Sequence, residues 1–271
     1  MKASRRGFLG GLTGVLAASG AGGALPAAAS AAKGQRWVDL QVNGRVGVSF
    51  TDDSLTVEGV KKVTDALNAA DTEYFLPTIV TCPDERAVKG LRTIRAAMKT
   101  YPECQRSILG FHMEGPFVTS VPGYSGAHNR QWVRDPDTAV YDRWMDASDG
   151  LVRLVTICGM RKGAEEFARY VSAKGTVVSL GHTHLTKTED IDRMVKAGVK
   201  AWTHLGNAMP NEVPRHNNQI WTALAHRGLT PMFISDGFHL PKEMLRVFVR
   251  SRPLDELITV SDCSFPGGLE P

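Results

Sequence analysis

The sequence has few cysteines and no apolar run of membrane length, and both absences narrow what the protein can be. Its 271 residues include four cysteines, none of them in a C-x-x-C pair, which excludes a zinc knuckle and a dense disulfide framework. An exported protein could pair two of them, but we expect no disulfide. After the N-terminal segment no stretch approaches ~18 consecutive apolar residues, so we expect no membrane span in the body of the chain.

A strong excess of one charge is also lacking. The 32 basic and 28 acidic residues give a net charge of +4. Three of the basic residues are Lys2, Arg5 and Arg6, which lie in an N-terminal segment without acidic residues. Without that segment the charge is 4 − 3 = +1, so nucleic-acid binding has no support.

Residues 1–32 are typical of a twin-arginine signal peptide. The motif Ser4-Arg5-Arg6-Gly7-Phe8-Leu9 precedes a weakly apolar stretch rich in Gly and Ala, and small residues at 27–32 would suit a signal peptidase. The alternative is a disordered Ala/Gly tail. We predict export by the twin-arginine route to a periplasmic or extracellular location, with residues 33–271 as the functional domain.

The rest of the sequence alternates between short apolar runs and segments of helical periodicity. Eight strands are predicted at residues 36–42, 74–80, 108–113, 152–158, 176–180, 200–204, 230–235 and 257–261. Helices are predicted between them at 54–70, 83–100, 138–147, 163–173, 187–197, 219–226 and 241–251. This alternation predicts an α/β fold, a (β/α)8 TIM-type barrel. The sequence ends at Pro271, soon after the eighth strand, so we expect the eighth helix to be lacking.

Four strands end on residues that can bind a metal ion or transfer a proton: Glu114, His182, His204 and Asp262. In a parallel barrel, the C-terminal ends of the strands converge on one mouth. A lone histidine there would more often be a core residue, but two histidines on consecutive strands facing a glutamate favour a metal site. We predict that Glu114, His182 and His204 bind one divalent ion, Zn²⁺ or Fe²⁺, with a position left open for water.

Asp262 follows the eighth strand without a capping partner three residues later. A carboxylate beside metal-bound water is suited to act as the general base. His128 and His239 lie in loops on the same side and are predicted to contact substrate. His184 begins two residues into its loop, which favours a supporting or substrate contact over metal binding. Asp236 is expected to order the loop that carries His239.

The same segments resemble those of the N-acetylglucosamine-6-phosphate deacetylases of the amidohydrolase superfamily, from Val38 to about Pro271. The matching segments are Asp39-Leu40-Gln41-Val42-Asn43-Gly44, Leu76-Pro77-Thr78, His112-Met113-Glu114-Gly115-Pro116-Phe117, Gly181-His182, Thr203-His204-Leu205-Gly206-Asn207-Ala208-Met209-Pro210, Ser235-Asp236-Gly237-Phe238-His239 and Ser261-Asp262. Together and in this order they are highly specific.

The resemblance implies a role for several further residues. Gln41 and Asn43 replace the superfamily's H-x-H pair, which implies a single metal ion. The backbone amides of Asn207 and Ala208 would bind a substrate phosphate, and His128 and His239 would contact the sugar. Arg215 falls where family members carry an arginine that reaches the phosphate of a neighbouring subunit, which implies a homodimer.

The sequence also departs from the family. His216-Asn217-Asn218 replaces the usual Glu-Pro-Gly, and the segments that build a small β-sandwich in family members are not found at either end. We therefore expect hydrolysis of the acetamide of an N-acetyl amino sugar by metal-bound water, with Asp262 as general base. Two alternatives stay open: an amidohydrolase acting on a non-phosphorylated amide, and a truncated, inactive sugar-binding remnant.

Overall fold

Eight parallel strands form the central sheet of the protein, whose computed structural model describes residues 36–269. The predicted signal peptide therefore lies outside the described residues. In chain order, the described strands are β1 Trp37–Val42, β2 Gly44–Arg45, β3 Val48–Ser49, β4 Thr72–Val80, β5 Phe111–Glu114, β6 Val152–Ile157, β7 Val177–Leu180, β8 Val199–Trp202, β9 Thr230–Ile234 and β10 Ile258–Val260. All except β2 and β3 belong to the central sheet. The large sheet has the order β1-β4-β5-β6-β7-β8-β9-β10, and β2 pairs with β3 in a small antiparallel hairpin.

The two edges of the large sheet meet, which makes the fold a barrel. Val42 forms a parallel bridge with Cys263, and the Asn43 N–H donates to the Cys263 carbonyl at 2.8 Å. Lower on the same seam, the backbone N–H of Ser261 donates to Oδ1 of Asp39 at 3.2 Å. A carboxylate thus replaces part of the backbone ladder between β1 and β10. The predicted TIM-type α/β fold is confirmed.

Helices cover the outside of the barrel. They are α1 Val57–Ala69, α2 Asp84–Thr100, α3 Pro102–Ser107, α4 Thr138–Ala147, α5 Ala164–Ala173, α6 Thr188–Lys196, α7 Gln219–Ala225 and α8 Lys242–Ser251, with 3₁₀ turns at Arg130–Trp132 and Leu254–Glu256. No helix follows β10 within residues 36–269. None of the helices in this described part has the length and apolarity needed to cross a membrane.

The helices begin and pack as their sequences indicate. The hydroxyl of Thr56 accepts the Gly59 N–H at 3.0 Å and so caps α1, which supplies an acceptor for one of the free N–H groups of the first turn. Val60, Val63 and Leu67 recur on one face of α1 and are buried against the sheet. Each such side chain contributes about 1.5–3 kcal/mol through removal of apolar surface from water.

Alternate residues of each strand face opposite sides of the sheet, which creates two separate cores. Leu154 belongs to the cluster inside the barrel, whereas its neighbour Val155 belongs to the larger cluster under the helices. The inner cluster contains Leu40, Leu76, Leu154, Ala201, Met232, Ile234, Ile258 and Val260. It fills the inside of the barrel, where several strands carry polar residues towards their C-terminal ends.

The observed elements differ from the predicted ones mainly at their ends. The third barrel strand, β5, starts at Phe111 and not at residue 108, because Gly110 has a φ of 147° that interrupts the extended backbone. Ile108 is left as an isolated bridge to Phe75. The strand also ends one residue later than predicted, so Glu114 is its last residue and not the first residue of the loop. The β2–β3 hairpin and the short helix α3 were not predicted, since neither carries a long periodic pattern.

Candidate metal centre and active site

Glu114, His182 and His204 meet at the C-terminal mouth of the barrel. Oε1 of Glu114 lies 2.8 Å from Nε2 of His204 and 3.2 Å from Nε2 of His182, and the two imidazole nitrogens are 3.0 Å apart. All three side chains are buried. Among the described residues this is the group of three potential ligands close enough together to hold one metal ion.

The backbone turns sharply where these ligands leave their strands. His182 has a φ of 44° and His204 a φ of 31°, and Asp262, which follows β10, has a φ of 51°. The left-handed region is unfavourable for residues with a Cβ, and it persists only where surrounding contacts hold it. Three such residues at three strand ends indicate that an unfavourable backbone conformation is tolerated here because it directs these side chains into the mouth.

The hydrogen bonds of His182 show that the trio suits a cation. Its Nδ1 lies 3.1 Å from the carbonyl oxygen of Tyr124, and a carbonyl can only accept, so Nδ1 carries the proton. In the neutral ring Nε2 then presents a lone pair towards Oε1 of Glu114, which is itself an acceptor. Two acceptors that face each other need an electrophile between them, and a divalent ion bound by two imidazoles and one carboxylate fits this donor set.

The electrostatics of the trio agree with that reading. Burial opposes protonation of His204, but the hydrogen bond and negative charge of Glu114 outweigh it and raise the pKa of His204 to about 9. Burial likewise opposes ionisation of Glu114, yet its close contacts with His182 and His204 hold the pKa of its carboxyl well below the usual value. The pocket thus favours positive charge beside Glu114, and a metal ion would displace a proton from it.

Asp262 lies on the same mouth and is held by two amide side chains of β1 and its end. Nε2 of Gln41 donates to Oδ1 of Asp262 at 2.8 Å, and Nδ2 of Asn43 donates to the same oxygen at 2.6 Å. Burial, followed by the negative charge of Glu114, raises the pKa of Asp262 to about 6. Because both amides bind Oδ1, neither of these bonds engages Oδ2.

His128 lies directly against the candidate ligand His182. Its ring packs edge-on to that of His182 with 4.1 Å between the ring centroids, and its Nδ1 lies 2.6 Å from the hydroxyl of Thr81. Burial, reinforced by the nearby His182, lowers the pKa of His128 to about 3. His128 is therefore a neutral side chain in this pocket.

The long loop between β5 and α4 wraps over the trio and supplies contacts that the sequence did not reveal. Besides the carbonyl of Tyr124, it brings Gly126 so close to His182 that a Cβ at Gly126 would lie 2.9 Å from the imidazole. The N–H of Thr119 donates to the backbone carbonyl of His182 at 2.9 Å. Thr81 and Tyr124 were missed because neither carries a pattern of its own. For Tyr124 the available signal was the length of the loop between β5 and α4.

No protein-family model matches the sequence, but curated proteins resemble it. The chain is 31% identical over 237 residues to the N-acetylglucosamine-6-phosphate deacetylase of Bos taurus and 28% identical over 236 residues to that of Bacillus subtilis (strain 168). These alignments cover 83% and 86% of this chain but 56% and 58% of the two relatives. The chain thus spans little more than half the length of the curated relatives it matches.

The fold agrees with the sequence comparison. The crystal structure of N-acetyl-D-glucosamine-6-phosphate deacetylase from Mycobacterium smegmatis superposes with a TM-score of 0.76 at 25% identity, covering 86% of this chain and 64% of that one. The chain belongs to the N-acetylglucosamine-6-phosphate deacetylase family. The predicted resemblance is confirmed at the level of the family.

Of the residues that the family resemblance assigns to substrate, His239 and Arg215 are more exposed than the trio, whereas His128 is buried. His239 is half exposed, and Asp236 orients it by accepting from its Nδ1 at 2.7 Å. Asp236 also accepts the N–H groups of Phe238 and His239 at 2.8 and 2.9 Å, so it orders this loop. These bonds engage Nδ1 of His239 and leave its Nε2 without a hydrogen bond within residues 36–269.

The predicted phosphate-binding residues of the family lie in the loop between β8 and α7. The N–H and side-chain amide of Asn207 both donate to the His204 carbonyl, at 3.0 and 3.3 Å, and Ala208 has a φ of 21°. The backbone N–H of Asn207 is thus already engaged. Arg215 is exposed, and no hydrogen bond or ion pair of its side chain occurs within the described residues.

His184 does not join the trio. Its ring packs beside Tyr124 with 5.8 Å between the ring centroids, and its Nδ1 has no hydrogen-bond partner within the described part of the chain. Partial burial lowers the pKa of its imidazole. In this family member His184 lies behind the loop that covers His182, so it supports Tyr124, whose carbonyl in turn orients His182.

Proposed function

We propose that this chain hydrolyses the acetamide of an N-acetyl amino sugar, using one divalent metal ion and Asp262 as the general base. The observation that carries the proposal is the meeting of Glu114, His182 and His204 at one point, with a second carboxylate on the same mouth. Membership of the deacetylase family supports the choice of an amide as the bond that is broken.

The ligand trio would hold Zn²⁺ or Fe²⁺ through one carboxylate and two neutral imidazoles. Bound there, the ion would polarise the amide carbonyl and lower the pKa of a water molecule. The other parts of the reaction depend on side chains of the protein.

Asp262 would take the proton of the attacking water and then transfer it to the nitrogen of the leaving amine. The products are acetate and the free amino sugar. Gln41 and Asn43 hold Oδ1 of Asp262, which leaves Oδ2 to receive the proton. A pKa raised to about 6 by burial suits this exchange, since a base works best when its pKa is near the working pH.

The sugar would lie between the two histidines that flank the trio. His128 is neutral and fixed by Thr81, so its ring is suited to hydrogen-bond a hydroxyl group. His239 is half exposed in the loop between β9 and α8 and is held by Asp236, which fits a contact with the sugar or the carbonyl oxygen.

We further propose that a 6-phosphate contributes little to recognition. Arg215 is exposed, and His216-Asn217-Asn218 alters the adjoining loop. This observation favours the second candidate, an amidohydrolase that acts on a non-phosphorylated N-acetyl amino sugar. We also propose export by the twin-arginine route to a location where free sugar phosphates are scarce. A homodimer that shares Arg215 across subunits is a further part of the proposal.

The test is elemental analysis of the purified chain together with amine release from N-acetylglucosamine and from its 6-phosphate. About one metal ion per chain and release from both sugars, with less than a tenfold preference, would support the proposal. A stable protein that neither binds metal nor releases amine would overturn the proposal and favour the inactive sugar-binding remnant. A preference above a thousandfold for the 6-phosphate would show that the phosphate is a main determinant of substrate recognition.

A further inference from the structure

A layer of buried polar side chains crosses the inside of the barrel just below the metal centre. It consists of Thr78, His112, Thr156, Ser179 and Thr203, all of which are buried. Three of them follow a residue of the apolar inner cluster by two positions: Thr78 follows Leu76, Thr156 follows Leu154 and Thr203 follows Ala201. The other two pair across the sheet with that cluster, His112 with Leu154 and Ser179 with Ala201. Uncharged polar groups replace hydrocarbon at this level, although burial of such groups is costly unless they are paired.

The five side chains are joined in one continuous hydrogen-bonded chain. The His112 ring lies between two hydroxyls, with Nδ1 3.3 Å from Oγ1 of Thr78 and Nε2 2.7 Å from Oγ1 of Thr156. Thr203 continues the chain, 2.7 Å from Thr156 and 2.7 Å from Ser179. A neutral imidazole has one donor and one acceptor nitrogen, and each hydroxyl can do both, so every bond can be made at once.

This chain adjoins all three predicted ligands. His112 is two residues before Glu114 on β5 and therefore faces the same side of the strand. Thr203 directly precedes His204. Next to His182, a Cβ at Gly181 would lie 2.5 Å from the methyl carbon of Thr156 and 2.9 Å from Cβ of Thr203, so the two threonines pack against the backbone that carries His182.

The ligand backbones need such support. His182 and His204 have φ angles of 44° and 31°, and each residue in this region costs about 1–3 kcal/mol unless its surroundings hold it there. Thr156 and Thr203 contact the residues that lead into both turns. The hydroxyl–imidazole chain links those contacts across β4, β5, β6 and β7.

We propose that this buried chain, with His112 at its centre, is a positioning layer that sets the arrangement of Glu114, His182 and His204 for metal binding. The proposal rests on the metal centre of the proposed function. It assigns a role to His112, Thr156, Thr203 and Ser179 in metal affinity, beyond their contribution to stability.

The test measures Zn²⁺ affinity of the full purified chain by competition with a chromophoric chelator, and thermal unfolding of the metal-free protein in parallel. Thr156→Val keeps the shape of the side chain and removes the hydroxyl, which should weaken Zn²⁺ binding ~10–100-fold, the range found when groups supporting metal ligands are removed. Thr156→Ser keeps a hydroxyl and should restore binding to within about threefold of the unmodified chain.

Thr176→Val is the matched control. Thr176 is also buried and makes two hydrogen bonds, to the Val152 carbonyl and to the hydroxyl of Tyr141, both at 2.8 Å, but it belongs to another network. The Thr176→Val substitution should therefore lower the unfolding temperature without changing Zn²⁺ affinity. If Thr156→Val fails to fold, Ser179→Ala, which removes the last hydroxyl of the chain, replaces it and should weaken binding.

Two results would overturn the proposal, and they differ. If the unmodified chain does not bind Zn²⁺, the assignment of the metal centre is wrong, and the proposed role of the positioning layer is wrong as well. If the unmodified chain binds Zn²⁺ and Thr156→Val or Ser179→Ala binds it equally well, the layer serves stability alone, and the proposed function is unaffected.

Discussion

The two sides of the barrel mouth differ in how their residues are held. On the metal side, Glu114, His182 and His204 are buried and in mutual contact, and His182 is further bonded to the Tyr124 carbonyl. On the side assigned to substrate, Arg215 is exposed and His239 is half exposed, with Asp236 as its anchor.

This difference follows from where each group starts. The candidate ligands lie at the ends of strands in a barrel whose interior is closely packed, so their positions are more constrained than those of loop residues. Loops beyond the strands lack that constraint and tolerate changes such as His216-Asn217-Asn218. Substitutions on the metal side should therefore have large effects, and those on the loop side small ones.

The largest effect is expected from Asp262→Asn. This variant keeps the shape and can still hydrogen-bond, but it removes the base, so kcat should fall about 10⁴-fold, the upper end for general acid–base groups. Metal content and unfolding temperature should be unchanged, which separates chemistry from folding. A kcat within tenfold of the unmodified chain would move the role of base to another residue.

Next comes His182→Ala, which removes one of the three ligands. Metal affinity should fall by more than ~100-fold, since loss of a merely supporting group already costs ~10–100-fold. Elemental analysis after dialysis should find much less than one ion per chain. His226→Ala is the control: it should retain the ion, because the His226 imidazole pairs with Asp192 outside the trio, and full occupancy in both variants would contradict the ligand assignment.

A smaller effect is expected from Asn43→Ala on the pH dependence of kcat/KM. The base works only when ionised, so activity is present above its pKa and is lost as the pH falls through that value. Burial raises the pKa of Asp262 to about 6, and the Asn43 hydrogen bond opposes this rise; a bound cation also opposes it.

Loss of the Asn43 amide should therefore move the acid limb of the profile upward by up to about one pH unit, or ~1.4 kcal/mol. Asn68→Ala, on α1, is the control and should leave the profile in place. A downward shift in Asn43→Ala would mean that the amide does not stabilise the carboxylate.

The smallest effect is expected at the exposed loop. Arg215→Ala should lower kcat/KM for N-acetylglucosamine 6-phosphate by less than tenfold and leave hydrolysis of N-acetylglucosamine unchanged. A buried bidentate arginine–phosphate contact would be worth far more. A drop of several orders of magnitude for the phosphorylated sugar alone would show that the two sides of the mouth are equally well defined.

Much of this architecture is readable from sequence because it depends on local patterns. Apolar runs separated by helical periodicity indicate the eight strands, and residues that end such runs in a parallel barrel must share one mouth. For that reason Glu114, His182, His204 and Asp262 could be grouped although they are up to 148 positions apart, from 114 to 262. The strand ends were less accurate, since Gly110 shortens β5 through its backbone conformation.

The sequence by itself thus indicated the barrel and the family, and it predicted the three candidate ligands. Only the tertiary structure decided which partners hold those groups: the carbonyl of Tyr124 for His182, the amides of Gln41 and Asn43 for Asp262, and the hydroxyl–imidazole chain through His112. The physical reason is that a hydrogen bond requires a distance and an angle between two particular atoms. Gln41 and Asp262 are separated by 221 positions, and the closure of the barrel is what brings them together.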